Sequence, residues 1–93
     1  MACEVVHEDA KTVFRLVGQL DDLDFDRIEV GFETVIEQPD AVVIFDFAEL
    51  ETLSASLLAL LGMLRLHACR VGAQLELRHL NPSVRTFLDS RQH

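Results

Sequence analysis

Two serines flanking an alanine, Ser54, Ala55 and Ser56, stand in the stretch ELETLSASLLALL, residues 49 to 61, where a charged turn gives way to an apolar run. A hydroxyl at a helix start can cap the helix or, where a kinase reaches it, carry a phosphate. A phosphate there meets free backbone N–H groups and the positive end of the helix dipole, so it is tolerated locally while changing the face shown to a partner by nearly two charges. Successive helical side chains are about 100° apart, so neither Ser54 nor Ser56 points where residue 55 points. At 55 the side chain is a methyl group. An N-cap worth roughly 1 kcal/mol is the reading that suits Ser54, and a hydroxyl bonded to backbone is the one that suits Ser56. Phosphorylation of Ser54 or Ser56 is the alternative. Leu57 either turns into the core or, if exposed, is an apolar anchor for a partner.

Other residue patterns carry less chemistry. Asp22, Asp24 and Asp26, followed by Glu33, mimic the spacing of a calcium loop, but Arg27 stands where that loop needs glycine for its turn. Acids clustered at a helix start are more simply favoured by the dipole. No G-x-S-x-G elbow surrounds a serine, and His7, His67, His79 and His93 fall on different elements. His67 and Cys69, two apart on a helix, diverge. The four glycines are not clustered as a phosphate cradle requires. The expectation is no catalytic residue, no metal and no cofactor.

The elements that would position these residues follow from periodicity. Residues 4 to 7, EVVH, and 12 to 17, TVFRLV, predict an antiparallel hairpin with EDAK as its turn. Gly18 breaks the second strand. The run DDLDFD offers several N-caps for a helix in which Phe25, Ile28, Phe32, Val35 and Ile36 share a face, and Pro39 ends it. Residues 41 to 47, AVVIFDF, form a nearly continuous apolar run that predicts a central strand covered on both faces. Ser54 then caps a helix running to about Val71, with Gly72 as its stop, and AQLELRH alternates as a strand. Asn81 and Pro82 open a last short helix through Val84, Phe87 and Leu88. The order β-β-α-β-α-β-α predicts an α/β fold with right-handed crossovers and a mostly parallel sheet.

Length and charge narrow the function classes. At 93 residues with 49% apolar content, the chain is expected to be a single domain with one core. Two cysteines, Cys3 and Cys69, suggest neither a disulfide framework nor a zinc site and suit a reducing cytosol. MACEVVHEDAK lacks the order of a signal peptide, and the longest apolar run falls short of the roughly 20 residues that span a bilayer. A cytoplasmic protein without a membrane span is expected. Sixteen acidic and eight basic residues give a net charge of −8, which repels nucleic acid and favours a basic protein surface as partner. The acids dominate residues 21 to 51 while most arginines fall later. Over the first two turns of the second helix apolar residues occupy nearly every face, so some of Leu57, Leu58, Leu61 and Leu64 are candidates for an interface.

The segments GQLDDLDFDRI, AVVIFDFAELETLSASLLALL and GAQLELRHLNPSVRTFLD, taken in order, resemble the STAS domain over about residues 4 to 90. That domain is shared by bacterial anti-sigma factor antagonists, stressosome subunits and the C-termini of sulfate transporters. The resemblance rests on Gly18-x-Leu20-Asp21, on Asp46 at the end of the central strand and on Asn81-Pro82-Ser83-Val84. It implies a STAS-like α/β fold: a β-hairpin, then alternating helices and strands with the helices packed on the sheet. It also implies a non-enzymatic protein-interaction module whose partner surface comprises Asp21, Asp22, Ser54, Ala55, Ser56 and Leu57. In the family the loop after the central strand usually reads Asp-Ser-Ser/Thr-Gly, and a partner kinase phosphorylates the first hydroxyl. Those four positions are Ser54, Ala55, Ser56 and Leu57 here, which leaves alanine at the acceptor position. The implied partner is a serine-kinase anti-sigma factor. The alternative is a fixed subunit of a larger assembly, a stressosome or a phospholipid-transport ABC complex; a third reading is a small-ligand-binding STAS domain or minor enzyme, for which the sequence announces no pocket, and a homodimer is compatible with each.

Overall fold

A computed structural model describes residues 3 to 80. They form β1 (Cys3–Glu8), β2 (Lys11–Gly18), α1 (Asp22–Ile36), β3 (Val42–Leu50), α2 (Ala55–Val71) and β4 (Gln74–Arg78). The helix expected to begin at Asn81 lies outside the described residues.

The hairpin closes more tightly than a four-residue turn. Glu8 pairs directly with Lys11, so only Asp9 and Ala10 lie between the strands. Asp9 takes φ 54°, a left-handed conformation that aspartate tolerates better than most residues. Strand order in the sheet is β1-β2-β3-β4, with β1 antiparallel to β2 and the remaining pairs parallel. Each parallel connection steps one strand in the same direction and passes through a helix. Right-handed crossovers therefore deliver α1 and α2 to the same face of the sheet.

The core fills the space between that face and the two helices. Phe14 and Leu16 of β2 and Val43, Phe45 and Phe47 of β3 meet Ile28 and Phe32 of α1 and Leu57, Leu61 and Leu64 of α2. Three phenylalanines organise its centre, with ring centroids 5.1 Å apart for Phe14 and Phe45 and 6.3 Å for Phe32 and Phe45. These offset distances are favourable for aromatic pairs. Gly31 lets α1 lie close to the sheet, since a Cβ there would stand 3.2 Å from the Phe14 ring.

The central strand is buried on both sides, as its apolar run predicts: Ile44, which alternates with Val43 and Phe45, is as fully buried as they are. On the side away from the helices, Arg15 meets Glu49 at 2.7 Å and Arg78 approaches Glu8 at 3.9 Å. Glu8 and Arg78 belong to the two outermost described strands, so this contact reaches diagonally across the sheet, which its twist permits. Among the described residues, no helix is long and apolar enough to cross a membrane.

β3 runs three residues beyond the end expected from its apolar pattern. The extra length is accommodated by a register shift: Arg15 pairs with Asp46 but Val17 with Glu49, one residue further on. The Asp46 carboxylate accepts a hydrogen bond from the Ala48 N–H at 3.0 Å, holding this bulge. The shift reverses the alternation, so that Glu49 reaches Arg15 on the far side and Leu50 packs against the core. Asp46 thus marks a bulge within β3 rather than its end.

Candidate docking site

Both helices begin at the edge of the sheet where the parallel strands end. The two loops feeding them are joined: the Glu51 N–H donates to the Gly18 carbonyl at 2.9 Å. Gly18 adopts φ +68°, and a Cβ there would lie 3.3 Å from a Glu51 carboxylate oxygen. Only glycine takes this conformation without strain and leaves Glu51 in place.

At the start of α1, Asp21 and Asp24 cap the helix reciprocally. The Asp21 carboxylate accepts from the Asp24 N–H, and the Asp24 carboxylate accepts from the Asp21 N–H, both at 2.9 Å. The bond from the Asp24 N–H is the main reason the Asp21 carboxyl titrates below its usual range; the Asp24 side chain and the Arg27 charge add to it. The stabilisation this gives is present above the usual carboxylate range and is lost as pH falls through the lowered value. Sequence reading offers several caps in DDLDFD; Asp21 with Asp24 and Asp26 with Glu29 both have the spacing of a reciprocal cap, and the structure uses the first. The same geometry answers the calcium-loop spacing. Asp24 turns inward as the cap partner while Asp22 and Asp26 remain exposed, so the three acids do not converge.

The start of α2 bears out the cap reading of Ser54. Its backbone is extended (φ −81°, ψ 159°) and its Oγ accepts from the Leu57 N–H at 3.1 Å. Ala55 is the first helical residue and is exposed, as is Ser56 beside it. Leu57 is only 1% exposed and belongs to the core, so its side chain offers no anchor to a partner. Leu61 and Leu64 are likewise internal, and Leu58 is half-buried. The reason is rotational: Leu57, Leu61, Leu64 and Ala68 recur at intervals of four, three and four and form the inward face.

The residues that α2 does expose form a different series, which sequence reading missed. Ala55, Ala59, Met63 and Leu66 point outward, with Met63 60% and Leu66 53% exposed. A helix apolar on nearly every face gives no contrast from which to orient it, and only the sheet contact decides which leucines turn inward. On α1, Leu23 is also 58% exposed, next to Asp22. The first turn of α2 holds no acidic residue, whereas that of α1 holds Asp22 and Asp24. The site therefore pairs an acidic helix start with an uncharged one.

Cys3 lacks the setting of a reactive thiol. Burial, reinforced by the charges of Asp24 and Glu4, pushes the Cys3 thiol up to about 11, which keeps it protonated. Cys69 is exposed and far along α2. His67 packs its ring 6.2 Å from that of Phe32.

A family model described as "Mlab, STAS domain" matches residues 3–90. No curated protein sequence matches the chain. Among solved structures, the anti-sigma factor antagonist SpoIIAA in its unphosphorylated form is similar, with a TM-score of 0.80 and 22% identity over 95% of this chain and 82% of that one. The Bacillus cell fate determinant SpoIIAA in its phosphorylated form also gives 0.80 and 22%, over 97% of this chain and 83% of that one. A structure of Mglu matches at 0.67 and 12% identity, over 87% of this chain but only 20% of its own length.

Proposed function

The chain belongs to the STAS domain family, and from that premise we propose that it is a non-enzymatic docking module of the bacterial cytoplasm that binds a serine-kinase anti-sigma factor through the adjoining starts of α1 and α2. In this reading it sequesters the anti-sigma factor and so regulates transcription. Asp21 and Asp22 border the surface on one side; Ser54, Ala55 and Ser56 form it on the other, while Leu57 supports it from within.

The observation that carries the reading is the exposed alanine at the first position of α2. A partner seated there meets a methyl group, and no phosphate can be attached at that position to dislodge it. SpoIIAA, of similar fold, is an anti-sigma factor antagonist recorded in both phosphorylated and unphosphorylated forms. This chain would then bind without that control, because Ser54 is engaged as a cap and Ser56 points about 100° away from residue 55.

Mixing the purified chain with its native kinase and ATP tests both halves. The expected result is a stable complex with no added phosphate by intact mass. Stoichiometric phosphorylation would refute insensitivity, and the absence of a complex would refute sequestration. The same alanine also favours a second reading, in which the domain is a fixed subunit of a stressosome or of a phospholipid-transport ABC complex. Isolation of the native complex separates the two, since a sigma regulator and a transport ATPase differ in mass.

A further inference from the structure

We infer that the docking surface does not stop at the helix starts but continues along the groove between α1 and α2, and that this groove receives an amphipathic helix of the partner protein whose flank facing α1 is rich in lysine or arginine. The inference rests on the docking reading above and extends it by a specific class of ligand.

The groove has an apolar ridge on one side. Ala55, Ala59, Met63 and Leu66 are all exposed and recur at intervals of four, four and three, so they lie within about 80° of one another around α2. Ala55 is thus the first member of an apolar stripe about 17 Å long, roughly three helical turns. A serine or a phosphate there would head the stripe with a polar group.

The other side is acidic. Asp22, Asp26, Glu29 and Glu33 recur at four, three and four and lie within about 60° on α1. Glu29 and Glu33 face the same hollow of about 290 Å³ as Met63, Leu66, His67 and Arg70. Because α1 and α2 follow parallel strands, they run in the same direction and their first turns share one edge of the sheet. The acidic and apolar stripes therefore run in the same direction, and the hollow joins them between Glu29 and Glu33 on one helix and Met63 to Arg70 on the other.

Two parallel ridges with a hollow between them receive a third helix by the usual interdigitation of side chains, and an apolar stripe of three turns supplies the i, i+4, i+7 anchors of a helix-in-groove contact. Charge selects among occupants. A second copy of this chain would bring the same four carboxylates to the contact, with Arg70 and His67 among the groove's lining residues to answer them. An anionic lipid surface would be repelled by them, as by the net charge of −8. A basic amphipathic helix satisfies both sides at once.

The test places a photo-crosslinking amino acid at Met63, at Ala55 and, as a control on the edge strand, at Val5, in the full chain expressed in its native host. The expected result is one partner protein crosslinked from both Met63 and Ala55 and not from Val5. The peptide attached at Met63 should carry apolar residues at helical spacing with lysine or arginine beside them. A partner captured at Ala55 alone would overturn the groove and leave the docking reading standing. So would a Met63 adduct to this chain itself, to lipid or to an acidic segment. No adduct at either position would overturn both. As a second measurement, E29Q/E33Q should weaken the purified complex about tenfold at low salt, with the circular dichroism spectrum retained. Unchanged affinity would overturn the acidic half of the inference.

Discussion

At the scale of single residues, Ser54 and Ala55 separate stability from recognition. Ser54 satisfies the Leu57 N–H at the start of α2, so Ser54→Ala should lower unfolding free energy by about 1 kcal/mol, read from the urea midpoint, without adding a group that a partner would meet. Ala55→Asp should act in the opposite sense on the two properties. A carboxylate at the first helical position, where α2 now has no acid, should raise stability by about 0.5 kcal/mol through the helix dipole. The same charge stands at the head of the exposed stripe beside the acids of α1 and should reduce partner affinity. A variant that is less stable and binds normally would contradict the assignment of this position. Ser54 was legible from its type and place before an apolar run. Leu57 was not fixed in this way, because its neighbours are also leucines and only the sheet tells them apart.

At the scale of elements, the loops that carry the site are positioned by the strand ends. Gly18 combines a left-handed backbone, a carbonyl that receives the Glu51 N–H and a Cβ position only 3.3 Å from the Glu51 carboxylate. Gly18→Ala should therefore cost about 1–2 kcal/mol and should shift the amide resonances of residues 50 to 54 although the substitution lies on the other loop. Normal stability with unmoved resonances would show that the two loops are independent. Composition and periodicity place all six described elements: β-branched or apolar runs mark β1, β2 and β3, alternation marks β4, a stripe marks α1, and Ser54 and Gly72 bound α2. Two features escaped that reading for identifiable reasons. Asp9 and Ala10 alone make the hairpin turn, since aspartate accepts φ 54° without the glycine that usually signals it. β3 passes Asp46 because that carboxylate folds back on the Ala48 N–H, a local bond that no periodicity records.

For the molecule as a whole, one aromatic residue connects the layers. Phe45 contacts the rings of both Phe14 on its neighbouring strand and Phe32 on α1, and it is fully buried. Phe45→Ala should cost about 3–5 kcal/mol, a large share of the roughly 5–15 kcal/mol by which domains are stable. The variant should show a lowered melting temperature with loss of cooperativity in calorimetry, and an unchanged transition would show that the core does not depend on this ring. The mostly parallel arrangement follows from the alternation of strands and helices in the sequence, whereas the gathering of both helices on one face follows from each strand being added beside the last. That placement decides the site, since it brings two helix starts to one edge.

A further consequence attaches to the strand order, which copies the order of the chain. Among the described residues, no strand has to be threaded between two others that are already paired. During synthesis, a chain emerging from its N-terminus can close the hairpin first, and each later strand finds a finished border waiting for it. Assembly can therefore keep pace with the ribosome, one crossover at a time, and the half-made protein always has a single growing margin.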